Sequence, residues 1–109
     1  MEELTLMQIK QKYNISRRAI QGYEKEGLVR PTGKTKRGYL LYDEKATKRI
    51  LQIKQYQNMG FRVKEIGNVI DAPASVMKEA LKEKKANLLK RKAEITQLID
   101  LIDRKIANI

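Results

Sequence analysis

Apolar residues fall at helical spacing in several short runs and one long one, separated by glycine, proline and basic stretches. In the first run Leu6 and Ile9 repeat until Tyr13 and Asn14 interrupt them. Thr5 followed three residues on by Gln8 has the form of a capping box, which predicts a first helix over about Leu6 to Lys12. After the break Ser16 is a second N-cap, and Ala19, Ile20 and Tyr23 form one apolar side. Two short helices three or four residues apart are the outline of a helix-turn-helix.

From Gly27 to Tyr42 the pattern changes to GLVRPTGKTKRGYLLY, in which glycine and proline bracket a basic loop and the last four residues favour a strand. This predicts a hairpin with KTKRG at its tip. Asp43 then caps a third helix over about 44 to 59, with Ala46, Ile50 and Ile53 on one face and Gly60 just past its end. Phe61, Val63, Ile66 and Ile70 predict a short fourth helix, ended by the DAPAS turn at 71–75. Pro73 marks the one boundary expected in the chain, giving a first domain over 1–72 and a second over 73–109.

The second segment has neither glycine nor proline after Pro73, and Leu81, Leu88, Ile95, Ile102 and Ile109 recur every seventh residue. That is a coiled-coil seam. With these at position d, position a is Lys78, Lys85 and Lys92 and then Ile99 and Ile106, so the seam becomes fully apolar toward its end. A helix this apolar on one side needs a partner, and a homodimer is expected through Leu81, Leu88, Ile95, Leu98, Ile99, Ile102, Ile106 and Ile109.

On the second helix, steps of about 100° per residue place Arg17, Arg18, Gln21 and Lys25 opposite the Ala19, Ile20, Tyr23 side. These side chains have the chemistry of base and phosphate readout: an arginine fork suits guanine or phosphate, glutamine suits adenine, lysine suits phosphate. The bland reading is a solvated helix face; the preceding helix, the basic hairpin and the net charge favour recognition. Gly22 lies beside Arg18, away from the core side. Its bare backbone either approaches phosphate closely or has drifted at an edge position, at a helix cost of about 1 kcal/mol.

Lys34, Lys36, Arg37 and Gly38 read as the tip of a wing that neutralises phosphate rather than reads bases. Tyr39 and Tyr42 behind it belong to the same candidate interface, though core packing under the wing is favoured over stacking on bases. Arg62 and Lys64, opening the fourth helix, either touch phosphate or are solvated surface. With Ser16, Gly22 and Tyr23 these complete the candidate DNA-facing set.

Charge strengthens that picture. The 109 residues carry 24 Lys and Arg against 13 Asp and Glu, a net charge of +11, spread over all three thirds of the chain. Such a balance points to a polyanionic partner. With no cysteine and no histidine, thiolate and imidazole metal sites, disulfides and histidine-based nucleophile systems are excluded, and no cofactor is expected. The acids are scattered, so no acid–base pair suggests an enzyme; Glu24 and Glu26 are expected as salt-bridge partners flanking the recognition helix. The acidic start is not a signal peptide, and no apolar run approaches the roughly 18 residues of a membrane span, which predicts a soluble, unprocessed, cytoplasmic and nucleoid-associated protein.

In this order, NISRRAIQGYEKEGLV, then RGYLLY, then MGFRVKEI, then a terminal coiled coil, the chain resembles the MerR family of bacterial transcription regulators over nearly its whole length. Near the second helix the family pattern ends R-Y-Y-D-x-x-G-L. This chain keeps Tyr23, an acid at Glu24, Gly27 and Leu28, but has Gln21 for the arginine and Gly22 for the first tyrosine. Its wing strand is Gly38, Tyr39, Leu40, Leu41, Tyr42, with leucine where arginine is usual, and Arg62 replaces a serine cap before Val63, Lys64, Glu65 and Ile66.

The resemblance implies a mainly α fold, a winged helix-turn-helix followed by a long helix that forms an antiparallel coiled coil. It further implies a homodimer on a pseudo-palindromic promoter operator, acting by bending and untwisting DNA so that RNA polymerase can use misplaced promoter elements. An excisionase-like architectural protein is the alternative. Family sensors lie at or beyond the end of the coiled coil, and none is visible here. Either the regulator is short and controlled by abundance or a partner, or this is an N-terminal piece whose effector domain is absent; the stop on Ile109 favours the second.

Overall fold

Leu4–Thr5 forms strand β1, and Thr5 then caps helix α1 (Leu6–Tyr13) in a computed structural model that describes residues 3–109. The capping box is complete: Thr5 Oγ1 accepts from the Gln8 N–H at 3.2 Å, and Gln8 Oε1 accepts from the Thr5 N–H at 2.8 Å. The helix stops at Asn14, which adopts the left-handed conformation (φ 57°, ψ 40°), a region Asn tolerates better than most residues. Ile15 is buried, and Ser16 caps helix α2 (Arg17–Lys25) by accepting from the Ala19 N–H at 3.1 Å. The turn is therefore fixed at both ends by side-chain chemistry.

At the end of α2, Gly27 takes φ +74°, the Leu28 N–H reaches the Tyr23 carbonyl at 3.0 Å and the Gly27 N–H reaches that of Glu24 at 2.9 Å. This is a Schellman closure, and it turns the chain so that Leu28 and Val29 are buried. Strands β2 (Gly33–Lys34) and β3 (Leu40–Tyr42) then form the hairpin. The sheet has order β1-β3-β2 and is antiparallel throughout, with Leu4 opposite Tyr42, Thr5 opposite Leu41, and Leu41 opposite Gly33. β1 is an addition to the expected hairpin. Its two residues give no readable alternation, because Thr5 serves the strand and the helix cap together.

Asp43 caps helix α3 (Glu44–Asn58), its Oδ1 accepting from the Ala46 N–H at 2.8 Å. A second Schellman closure ends it: Gly60 has φ +100°, the Phe61 N–H bonds the Tyr56 carbonyl at 3.1 Å and the Gly60 N–H that of Gln57 at 2.9 Å. The rings of Tyr56 and Phe61 meet edge to face at 6.0 Å, the apolar contact that accompanies such a turn. Helix α4 (Val63–Val69) follows, with Glu65 Oε1 accepting from the Arg62 N–H at 3.0 Å.

Ile9, Ile15, Ile20, Tyr23, Tyr42, Ile50, Ile53 and Ile66 make the centre of the first unit, each essentially without exposed surface. At about 1.5–3 kcal/mol per fully buried side chain this cluster is the main force assembling the short elements around α2 and the wing. The chain divides into two compact units, the first ending at Asp71 and the second comprising Ala72–Ile109. The second is helix α5 (Ala74–Ala107), with Pro73 as N-cap and no buried residue. Among the described residues no helix is long and apolar enough to cross a membrane.

Candidate nucleic-acid interface

α2 is split lengthwise. Ile20 and Tyr23 are buried against the core, while Arg17, Arg18, Gln21 and Lys25 are exposed. Gly22 sits among them, and a Cβ built there meets nothing within 4 Å, so the surface over this turn is bare backbone. The exposed edge thus offers two guanidinium forks, one amide and one ammonium, with a gap one side chain wide. Ser16 precedes them with its Oγ accepting from Ala19 as the cap, which orients the first turn carrying Arg17 and Arg18.

Two residues of the candidate interface belong to the core: Tyr42, for which core packing is the favoured reading, and Tyr23, for which DNA contact is expected. Tyr23 is 1% exposed and donates from its hydroxyl to Gln57 Oε1 at 2.5 Å; Tyr42 has no exposed surface and donates to the Glu24 carboxylate. Burial raises the Tyr23 phenol above its ordinary 10. Burial first, and then the hydrogen bond to Glu24, push Tyr42 far above it, with Arg17 partly opposing the rise. A tyrosine at helical spacing beside Ile20 is placed by the apolar stripe, and its hydroxyl then needs an internal acceptor. Glu24 accordingly serves Tyr42 rather than forming a salt bridge.

Tyr39 differs in the opposite direction. It is 63% exposed, so it does not pack under the wing as expected. The tip explains why: the Gly38 N–H donates to the Thr35 carbonyl at 2.9 Å, the Thr35 N–H to the Tyr39 carbonyl at 2.8 Å, and the Tyr39 N–H to Thr35 Oγ1 at 3.1 Å. Gly38, at φ +86°, supplies the left-handed residue this hairpin needs. Lys36 and Arg37 therefore occupy the two central turn positions, exposed, with Tyr39 exposed beside them. Lys34 stands in β2 rather than in the loop.

Arg62 and Lys64 are both exposed at the start of α4. Arg62 provides no side-chain cap, and its Nε approaches Glu65 Oε1 at 3.3 Å. On α5, Leu81, Leu88, Ile95, Leu98, Ile99, Ile102 and Ile106 are all exposed in the single chain, and Ile109 lies two residues beyond the last helical one. Leu89 and Leu101, also exposed and apolar, fall outside the expected seam. Among the described residues no group of His, Cys, Asp or Glu is arranged to hold a metal ion.

Sequence reasoning missed Arg49. Its Nε donates to the Leu28 carbonyl at 2.9 Å and its two terminal nitrogens to the Asp71 carboxylate at 2.8 and 2.7 Å. Nothing in the local pattern signals it, because its two partners, Leu28 and Asp71, are 21 and 22 residues away in the chain.

Two short helices joined by a three-residue turn, a basic hairpin sealed by a third strand, and a long helix after Pro73 define a winged helix-turn-helix protein. A family model described as MerR HTH family regulatory protein matches residues 4–72, and the chain belongs to that family. The HTH-type transcriptional activator mta of Bacillus subtilis (strain 168) is 33% identical over 95 residues, which cover 87% of this chain and 37% of mta. The chain thus spans well under half the length of that relative. The crystal structure of MtaN, the N-terminus of the Bacillus subtilis multidrug transporter activator, is 31% identical with a TM-score of 0.78, covering 94% of this chain and 97% of that one. HiNmlR, a MerR family regulator lacking the sensor domain and crystallised bound to promoter DNA, shares the fold at 20% identity and a TM-score of 0.64, over 97% and 89% of the two chains.

Proposed function

We propose that this chain is the DNA-binding and dimerising part of a MerR-type transcription regulator, with residues 1–72 engaging a pseudo-palindromic promoter operator and 73–109 pairing two copies. The observation that carries the reading is the divided surface of α2: Ile20 and Tyr23 fix its inner side while Arg17, Arg18, Gln21 and Lys25 are left exposed. A helix held in this way presents its polar edge to a major groove, and the exposed cations Lys36 and Arg37 of the wing tip supply phosphate contacts. Ser16, Gly22, Lys34, Gly38, Tyr39, Arg62 and Lys64 complete the assigned surface.

Charge supports an antiparallel arrangement of α5. Residues 74–92 hold seven cations and two acids, whereas 93–109 hold three acids and two cations. Parallel pairing would set basic half on basic half, while antiparallel pairing lays each basic half over its partner's acidic one. The dimer then acts on RNA polymerase indirectly, by bending and untwisting the promoter, in the cytoplasm at the nucleoid. An effector would reach it through a further domain or a partner protein.

Selection of binding sites from random duplexes, followed by footprinting, tests the reading. Two protected half-sites and a steep loss of affinity with salt are expected. One contiguous, sequence-indifferent footprint would contradict it, and bound promoters whose transcription never changes would favour an architectural role.

A further inference from the structure

A winged helix-turn-helix grips a duplex with two parts at once, and both reach their targets only if the distance between them is fixed. Backbone hydrogen bonds tie β3 to β1 and to β2, so the wing is a unit in itself, but they do not reach α2. Among the described residues, a single side-chain hydrogen bond crosses from the wing strands to α2, that of Tyr42 to Glu24.

The placement of this pair fits more than packing. Tyr42 is three residues from Tyr39 and the wing tip, and its ring is wholly buried opposite Leu4 of β1. Glu24 lies one turn beyond Gln21 on α2, half-buried, and Arg17 on the same helix is near enough to act on the Tyr42 phenol. An acid on a helix meant for phosphate repels it when free; directed inward onto a phenol, its charge is held away from the duplex. Tyr23 and Gln57 make the corresponding link from α2 to α3, so the helix is tied on two sides.

We propose that Tyr42 and Glu24 are positioning residues that brace the wing against the recognition helix, so that Lys36 and Arg37 meet the DNA backbone in the same encounter in which Arg17, Arg18 and Gln21 meet the groove. This rests on the DNA-binding reading given above. Neither residue touches DNA; each acts through the elements it joins.

The test is a double-mutant cycle on a selected operator duplex, with a measurement on the free protein beside it. Tyr42→Phe keeps the ring and removes only the hydroxyl. It should weaken operator binding about tenfold, the scale of coupling between groups in one network. Lys36→Ala with Arg37→Ala should weaken binding in the wild-type background and cost little more in the Tyr42→Phe background. Glu24→Gln, which retains an acceptor, should stay near wild type, and Glu24→Leu should resemble Tyr42→Phe. Additive losses in the cycle, as a general loss of stability would give, overturn the brace.

In the free protein, amide exchange over 35–41 should quicken in Tyr42→Phe while that of α3 is unchanged. Unaltered exchange in the wing overturns the brace whatever the DNA results are. A wild-type protein that binds no duplex would instead overturn the DNA-binding reading, leaving the exchange experiment to decide the link between the two elements.

Discussion

Arg49 holds both carboxylate oxygens of Asp71 in a fork, at 2.8 and 2.7 Å, while its Nε caps the Leu28 carbonyl just past α2. One guanidinium thereby joins α3, the exit of α2 and the last residue of the first unit. The two partners are unequal: the Arg49 side chain is largely covered and Asp71 is solvent-exposed. Arg49→Ala should therefore destabilise the first unit by about 1–3 kcal/mol in urea unfolding, since it strands a carbonyl and removes packed stem, whereas Asp71→Ala should cost clearly less. Equal losses would show that the ion pair, not the carbonyl cap, dominates.

The same pair sets an acid dependence. The hydrogen bond from Arg49 holds the Asp71 carboxyl below its ordinary 3.8. A carboxyl depressed in the folded state contributes stability above the unfolded value, and that contribution disappears as pH falls through the lower folded one. Asp71→Asn should thus flatten part of the stability loss below about pH 4, measured as urea midpoint against pH, and leave the slope near neutrality untouched.

Gly22 gives a cleaner separation of stability from recognition. Because a Cβ there meets nothing, Gly22→Ala should raise unfolding free energy by about 0.5–1 kcal/mol through helix propensity alone. If the bare backbone serves close approach to phosphate, the same variant binds operator less tightly while being more stable. Stabilisation with unchanged affinity would make the glycine an edge position without a role in binding.

Base reading and phosphate neutralisation should respond differently to truncation. Arg18→Ala is expected to cost about 1–3 kcal/mol on the operator and to relax discrimination at one base step, while Lys36→Ala weakens operator and random duplex alike and lowers the salt slope by about one. Binding isotherms on both duplexes at several salt concentrations give the comparison. Equal losses on both duplexes for both variants would remove the division of labour.

On α5, Ile99→Asp or Ile106→Asp should yield monomers in sedimentation, because each would bury a charge in the paired seam. An intact dimer would place the seam elsewhere on the helix, with Leu89 and Leu101 the first residues to examine.

The helices were legible because their ends carry local chemistry: the Thr5 and Gln8 box, the Ser16 and Asp43 caps, and glycines after α2 and α3. The interior side of α2 was legible for the same reason, since Ile20 and Tyr23 obey one period. What could not be read were features made by distant residues. β1 exists because Leu4 finds Tyr42, and Arg49 matters because Leu28 and Asp71 come to it. Tyr42 shows the limit best: its strand pattern and its aromatic character were plain, but which group would take its hydroxyl depended on a helix 18 residues earlier.

α5 has 34 helical residues and buries none of them within its own chain. A lone amphipathic helix of this kind gains little from itself, so its order and its pairing are one equilibrium governed by mass action. If α5 pairs two copies as proposed, the concentration of the chain enters its stability directly, and dilution should loosen the helix before it loosens the first unit.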